Sequence, residues 1–477
     1  MSSAQSARAA TTYLVLGGLQ RGIALILLVP LSFALAPAEF GAATLLTTTA
    51  LLLTTLLASP VEQLVFRSVA RGGGRSASEL RVIRAYCIWV LPLVFALLAF
   101  GVAFIPEILG VNGSLWAIEI LAVGLIPIVS TLALPMARAR QDLARFAIVS
   151  GVNIVALAGS KLWLVVAAEW GVLGWVVSDL IAAVVTAIVA VACSRVPRAG
   201  VTRGDVGTVV GFSLPLVPHR AAFWALASAS RPAMAAVGTM ADVGYLSFGL
   251  SLASIASLIL AELNNALLPH YSRERLPAPT NETEAVVRVQ LLAAFIAPAM
   301  VGAGIGLFGT VFFGAAYWSA FSVAAILLVG QAAYGVYLIP MNYMVQTAGR
   351  PRFSAIASVS GAAVILGGIV VAGASIGVNG VAWLTVLGFG LMAILAFTLV
   401  STQRIAIHWR EFIGTWPTPV GGVLALTCGV LAASAAPAST AGITLSILTI
   451  VTVGFTAWLT RRSIHAAPPD GDALLAG

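Results

Sequence analysis

The sequence predicts an all-α integral membrane protein of about 14 transmembrane helices. Of its 477 residues, 60% are hydrophobic and only 9% are charged, whereas soluble domains carry about 25% charged residues. Many windows reach the roughly 20 consecutive apolar residues that a spanning helix needs. Arginines fall in every second gap between these windows, which is the pattern of cytoplasmic loops. A water-soluble fold is therefore excluded.

The apolar windows are separated by short connections, and each one predicts a single span. The predicted spans are residues 11–36, 42–66, 82–105, 117–137, 144–168, 171–193, 206–229, 240–268, 287–309, 320–346, 353–374, 377–401, 418–437 and 441–460.

The alternation of charge predicts which side of the membrane each gap faces. Of 25 lysines and arginines, 21 lie in gaps that the pattern assigns to the cytoplasm, and both termini are assigned there too. The net charge of +8 belongs to these loops, which face anionic lipid headgroups. No polar domain presents a basic face, so no nucleic-acid partner is expected. The four cations outside this pattern are Arg21, Lys161, Arg220 and Arg231.

The residue types that mark metal sites and enzymes are sparse. The three cysteines and four histidines are too widely spaced for a metal cluster. No phosphate-binding glycine-rich loop followed by Lys-Ser or Lys-Thr is present. We therefore expect no enzyme, metal or cofactor, and we expect any transport to use a proton or sodium gradient, the membrane potential or substrate disposal.

A weak internal repeat divides the predicted spans into two halves. The motif Ala-Glu-Phe-Gly at 38–41 opens span 2, and Ala-Asp-Val-Gly at 241–244 opens span 8 in the same way. Six spans per half is an even number, so the halves would be parallel repeats about an axis along the membrane normal. This predicts an N-terminal lobe at 1–200, a C-terminal lobe at 201–410, and two extra helices with a cytoplasmic tail at 411–477.

Two arginines occur deep in the equivalent spans 1 and 7. Arg21 follows Gln20 and Arg220 follows His219, and these four residues are predicted to line the substrate cavity. A charged side chain in the hydrocarbon core costs at least about 2.5–3.5 kcal/mol, so each needs a partner or a wet cavity. One hypothesis is a clamp in which the two guanidiniums bind a phosphate or pyrophosphate in a central cavity. The alternative is that each arginine pairs with an internal carboxylate.

Other polar residues inside the spans are candidates for a coupling site or a cavity. Lys161 and Asp179 each lie 16 residues from a flanking cytoplasmic arginine, and therefore at similar depth on neighbouring antiparallel helices. They form either a buried ion pair or a cavity group that couples transport to a proton or cation. Glu262 is predicted either to compensate the charge of an arginine or to bind a coupling ion. Asn264 and Asn265 are predicted to line the substrate cavity.

Several motifs carry a resemblance to a known family. The segment 13–41, with Gly17-Gly18, an arginine in span 1 and APAEFG at 36–41, resembles the opening of polysaccharide-repeat flippases. GFSLPL at 211–216, VGY at 243–245 and Leu-Pro at 268–269 resemble the second half of that family. The family is the polysaccharide transporter branch of the multidrug/oligosaccharidyl-lipid/polysaccharide exporter superfamily.

The resemblance implies a flippase for an undecaprenyl-pyrophosphate-linked oligosaccharide in the bacterial cytoplasmic membrane. Such a protein works by alternating access and would contact membrane lipids and the glycan polymerase or export machinery. The resemblance also implies that Arg21 and Arg220 hold the pyrophosphate. The cavity here is poor in charge, which favours a capsule, exopolysaccharide or teichoic-type glycan over the peptidoglycan precursor.

Two other functions compete with a lipid-linked glycan flippase. A cation-coupled exporter of small molecules or drugs with the same fold would rely on acidic residues such as Asp179 and Glu262. A membrane enzyme, such as a glycan polymerase or ligase, would need a sizeable external loop, and the gaps between the predicted spans are too short for one.

Overall fold

The structure is a computed structural model that describes residues 22–71, 73–194, 196, 200, 202–273, 281–350, 352–402, 417–435 and 439–465. These residues are helical nearly throughout, so the prediction of an all-α integral membrane protein is confirmed. Ten helical segments in the described part of the chain are long and apolar enough to span a membrane. The chain divides into two compact units, Met1–Gly244 and Tyr245–Gly477. The predicted lobe boundaries stay a prediction.

The first unit contains twelve helices and the start of a thirteenth among its described residues. They are α1 (Gly22–Ala34), α2 (Pro37–Leu57), α3 (Ser59–Arg71), α4 (Gly73–Ala85), α5 (Leu91–Ala103), α6 (Gly113–Pro127), α7 (Leu134–Ala139), α8 (Leu143–Lys161), α9 (Gly171–Cys193), α10 (Arg203–Ser213), α11 (Val217–Ser228), α12 (Ser230–Val237) and α13 (Met240–Arg273). A two-residue hairpin, β1 (Glu107–Ile108) and β2 (Val111–Asn112), precedes α6. Within the unit α6 packs against α2, α5 and α9, and α8 packs against α9.

The second unit contains most of α13 and five further helices among its described residues. They are α14 (Asn281–Phe312), α15 (Ala320–Asn342), α16 (Arg352–Thr402), α17 (Pro417–Ser434) and α18 (Thr440–His465). Gly377 has a positive φ of 62° inside α16, so that element is two helices that meet at a kink. Helix α14 packs against α15, α17 and α18, and α15 packs against α16.

Each predicted span overlaps a described helix, and residues 11–21 of span 1 lie outside the described residues. Two of the spans are broken near prolines. Span 2 breaks at Ala58, because Pro60 has no N–H to donate to the carbonyl four residues earlier and its ring clashes with that carbonyl. Span 7 consists of α10, a 3₁₀ turn at Leu214–Leu216 and α11. The prolines of this segment cannot supply the backbone N–H groups of a regular helix.

Four π-helical segments interrupt or end the spans. They are Tyr86–Val90, Ile128–Ala133, Leu162–Ala167 and Tyr343–Thr347. Such segments occur often at functional sites, because each inserts an extra residue and turns the side chains that follow.

The repeat motif has the same local structure at both of its occurrences. Glu39 accepts the backbone N–H of Ala36 at 2.9 Å, and Asp242 accepts that of Thr239 at 3.0 Å. These bonds satisfy donors at the N-termini of α2 and α13 that have no partner within the helix. The two carboxylates are thus equivalent helix caps, 203 residues apart in sequence.

The glycines of the two motifs pack against each other's helix. A Cβ atom on Gly41 would lie 2.7 Å from the backbone nitrogen of Gly244. A Cβ atom on Gly244 would lie 2.7 Å from the carbonyl carbon of Pro37. No side chain fits at either position, so glycine lets the first turns of α2 and α13 touch through their backbones.

Candidate functional site

The predicted arginine clamp lies largely outside the described residues. Arg21 and Gln20 precede the first described residue, and the side chain of His219 is likewise outside the description. Arg220 is half-buried in the first turn of α11, directly after the 3₁₀ turn. The clamp therefore stays a prediction that rests on Arg220 alone within the described chain.

Arg220 faces an acidic neighbour from another helix of the first unit. Its charge acts on the carboxylate of Glu62 in α3, and so does the charge of Arg138 in α7. An opposite charge nearby lowers the cost of keeping each group ionised inside the protein. Both arginines therefore act on the same carboxylate.

An apolar cavity of about 230 Å³ lies beside this charged region. Its lining residues come from α2, α3, α4, α10 and the turns that break these helices: Leu56, Leu57, Pro60, Val61, Val82, Tyr86, Val206, Val209, Val210, Ser213, Leu214 and Val217. The break at Ala58, the π segment at Tyr86 and the 3₁₀ turn at Leu214 all border it. The Ser213 hydroxyl is buried without a hydrogen-bond partner among the described residues.

Lys161 and Asp179 meet inside the first unit. The Lys161 ammonium is 3.0 Å from Oδ1 and 3.3 Å from Oδ2 of Asp179. It also lies 3.4 Å from the ring centroid of Trp175, in the geometry of a cation–π contact. The indole nitrogen of Trp175 donates to Thr47 Oγ1 at 3.1 Å. The structure thus brings the two residues together as an ion pair, and their role in coupling stays a prediction.

Glu119 joins this ion pair, and the sequence analysis did not single it out. Its side chain comes from α6 and is only 1% exposed. Asp179, Lys161 and the Thr47 hydroxyl are all close enough to interact with its carboxyl group. A carboxylate in the apolar run of span 4 is the signal that would have found it, because such residues mark functional sites in membrane proteins.

Asn264 belongs to a neutral hydrogen-bond network in the second unit. Its Oδ1 accepts from Gln290 Nε2 at 2.9 Å and from Asn342 Nδ2 at 2.7 Å, which ties α13 to α14 and α15. The Tyr271 hydroxyl donates to Gln290 Oε1 at 2.6 Å and extends the network. Buried polar groups satisfied in this way hold helices in one arrangement.

The remaining predicted residues of α13 differ in their exposure. Asn265 is exposed, whereas Glu262 is half-buried two residues before Asn264. Their assignment to the substrate cavity and to ion coupling stays a prediction. Within the described ranges, no three His, Cys, Asp or Glu side chains lie together as metal ligands would.

Comparison with known proteins identifies the class to which this fold belongs. The solved structure of the lipid II flippase MurJ, in an inward closed conformation, aligns with a TM-score of 0.70 and 11% identity. That alignment covers 97% of this chain and 100% of the MurJ chain. An inward-facing multidrug resistance MATE family transporter of the MOP superfamily aligns with a TM-score of 0.57 and 16% identity. This second alignment covers 81% of this chain and 94% of the transporter chain.

The sequence itself identifies the family. The family model described as polysaccharide biosynthesis protein matches residues 6–274, which is more than half of the chain. The chain therefore belongs to the polysaccharide biosynthesis protein family and has the multi-pass fold of MOP superfamily transporters. No protein with curated annotation matches it significantly. The resemblance to the polysaccharide branch of this superfamily is confirmed.

Proposed function

We propose that this protein is a flippase that moves an undecaprenyl-pyrophosphate-linked oligosaccharide across the bacterial cytoplasmic membrane by alternating access. The observation that carries the proposal is the family match over residues 6–274, made by a chain whose whole length has a transporter fold. A polysaccharide biosynthesis protein with a transporter fold is suited to move a lipid-linked glycan unit across the membrane. The chain is proposed to act as a transporter and not as an enzyme.

The chemistry of the first unit supports an amphiphilic substrate. Arg220 and Arg138 provide positive charge near an apolar cavity of about 230 Å³. A guanidinium can donate two charge-assisted hydrogen bonds to a phosphate group. Arg220, with Arg21 and Gln20 from span 1, is proposed to bind the pyrophosphate, while the lipid tail stays in an apolar environment.

The partners and location follow from this substrate. We propose that both termini are cytoplasmic and that the protein contacts membrane lipids and a glycan polymerase or export complex. The substrate class is proposed to be a capsule, exopolysaccharide or related envelope glycan, because the sequence places few charged residues inside the predicted spans. The driving force is proposed to be a proton or sodium gradient.

The test is export of the lipid-linked glycan in a deletion strain that carries variants of the protein. Wild type is expected to restore surface glycan, whereas Arg220→Ala and Arg21→Ala are expected to leave the precursor inside the cell. The reason is that each variant removes one half of the pyrophosphate clamp. Surface glycan is measured by lectin or antibody binding, and precursor by extraction of the lipid fraction.

The matched control is Arg203→Ala, which removes an exposed arginine from α10 of the same unit. It is expected to export glycan like wild type, and all variants must reach the membrane at equal levels. Normal surface glycan in Arg21→Ala and Arg220→Ala would contradict the clamp. Normal surface glycan in the deletion strain would contradict the flippase itself.

A second candidate function is a cation-coupled exporter of small molecules or drugs. The observation that favours it is the ionisable cluster of Glu119, Lys161 and Asp179, in a fold shared with a multidrug resistance transporter. Drug sensitivity of the deletion strain with intact surface glycan would support this function over the flippase.

A further inference from the structure

Three ionisable side chains meet inside the first unit, each from a different membrane-spanning segment. Glu119 is in Gly113–Ala139, Lys161 is in Leu143–Ala167, and Asp179 is in Gly171–Cys193. The Glu119 residue is 1% exposed and Lys161 is 6% exposed. Charges removed from water in this way are tolerated only when other groups compensate them.

The charges of the cluster do not balance if all three groups are ionised. Two carboxylates face one ammonium, and the ammonium is already engaged by Asp179 at 3.0 Å and by the Trp175 ring. The Oε2 atom of Glu119 has no hydrogen-bond partner among the described residues. An ionised Glu119 would therefore be a buried charge without its own counter-ion, next to a second carboxylate that repels it.

Among the described residues, no other group on the neighbouring elements supplies that counter-ion. Helix α5 and strand β2 carry no titratable side chain, and α2 contributes only the Thr47 hydroxyl, with Glu39 at its distant N-terminal end. The π segment Ile128–Ala133 also has none, and Tyr86–Val90 has only the neutral groups of Tyr86 and Cys87. Within the described part of the chain, Lys161 is the cation that acts on both carboxyl groups.

We propose that Glu119 is a proton-binding residue and that its proton exchanges with solvent during the transport cycle. With the proton bound, Lys161 pairs with Asp179 as the structure shows. When the proton leaves to water, the new carboxylate competes with Asp179 for the ammonium. The π-helical segment Leu162–Ala167 begins directly after Lys161, so a change of partner can be accommodated by the backbone that follows.

The binding of a proton at Glu119 stands independently of the substrate, and only the link to glycan movement rests on the proposed function. The proton site is tested on the purified full-length protein in lipid nanodiscs by infrared difference spectroscopy across pH. Wild type is expected to show the C=O stretch of a buried protonated carboxyl. Glu119→Gln is expected to lose this band, whereas the exposed control Glu169→Gln keeps it.

Two outcomes would overturn the site: no such band in wild type, or the same band in Glu119→Gln. A second variant keeps the test decisive if Glu119→Gln does not fold. Glu119→Asp keeps a carboxyl group at this site on a shorter side chain, so the band is expected to persist at a shifted frequency. An unshifted band would equally overturn the proposal.

The link to transport is tested in proteoliposomes with a fluorescent disaccharide on polyprenyl pyrophosphate. Wild type is expected to move the probe faster under an imposed pH gradient, and Glu119→Gln is expected to lose this response to the gradient. If wild type moves no probe, the flippase proposal fails while the infrared result still decides the proton site. If wild type and Glu119→Gln respond equally to the gradient, Glu119 is not the coupling residue.

Discussion

At the scale of single residues, the informative groups are ionisable side chains that pair across the sequence. Lys161 and Asp179 lie at equal distance from cytoplasmic arginines, and that spacing predicted similar depth, as either an ion pair or a cavity group. The structure adds the Trp175 ring at 3.4 Å and the Glu119 carboxyl. An ion pair that is enclosed by an aromatic ring and a second carboxyl is more sensitive to the loss of one partner than an exposed pair.

We expect the single variants Lys161→Gln and Asp179→Asn each to destabilise the protein by about 3–5 kcal/mol, because each leaves a buried charge without its partner. The double variant is expected to lose less stability than the sum of the two single losses. The measurement is a double-mutant cycle of unfolding free energies in detergent.

The control for this cycle is the same pair of changes on surface residues. Arg145 and Asp142 form a partly exposed ion pair with a 3.2 Å separation at the start of α8, so the Arg145→Gln and Asp142→Asn changes are expected to couple by less than about 1 kcal/mol. If the losses of unfolding free energy at Lys161 and Asp179 were additive, the interaction between the two side chains would contribute nothing to stability.

Some of the site could not be predicted from sequence for physical reasons. Glu119 is a lone carboxyl in an apolar run, and its partners on α8 and α9 follow 42 and 60 residues later. The network of Asn264, Gln290 and Asn342 depends on the rotation of three helices about their axes. Hydropathy gives the depth of a residue in the membrane but not this rotation.

At the scale of helices, the positions of the spans were predictable and their interruptions were not. A run of apolar residues is enough to predict a span, because the lipid forces every backbone group to bond within the helix. The break at Ala58 and the 3₁₀ turn at Leu214–Leu216 accompany prolines that are visible in the sequence. The π segment Leu162–Ala167 contains no proline, so no residue within it marks the interruption in the sequence.

The contact between the first turns of α2 and α13 leads to a prediction about helix packing. Gly41→Ala places a Cβ atom 2.7 Å from the Gly244 nitrogen, so the two backbones must separate. We expect a loss of about 1–3 kcal/mol, which is typical of overpacked sites. The measurement is the thermal unfolding midpoint of purified protein.

Gly151→Ala is the matched control for this substitution. It lies inside α8, and no atom lies within 4 Å of the added Cβ. Alanine is favoured over glycine in a helix by roughly 1 kcal/mol, so this variant is expected to be unchanged or slightly stabilised. Equal effects of the two substitutions would show that the close approach at Gly41 does not matter for stability.

At the scale of the whole molecule, charge and repeat give one consistent description of the chain. Arginines in every second gap predict the side of each loop, and six spans per half predict that equivalent loops share a side. The capping carboxylates Glu39 and Asp242 support the repeat, because the two motifs have the same bonds at the start of their helices. The orientation in the membrane is the part of this description that only an experiment on cells can supply.

Cysteine accessibility in intact cells tests that orientation. Single cysteines are placed in a chain from which Cys87, Cys193 and Cys428 have been removed. Glu169→Cys and Ser375→Cys, both exposed and in gaps with the same predicted side in the two halves, are expected to react with an impermeant maleimide from outside.

The controls Gln141→Cys and Thr402→Cys are also exposed but lie in arginine-bearing gaps, and they are expected to react only after the membrane is permeabilised.

If Glu169→Cys and Ser375→Cys reacted from opposite sides, the halves would be inverted rather than parallel. The argument that Arg21 and Arg220 occupy equivalent positions in one cavity would then fail. If all four positions reacted on the reverse of their predicted side, the parallel repeat would stand. In that case the charge pattern, which is the basis for placing both termini in the cytoplasm, would be the part that failed.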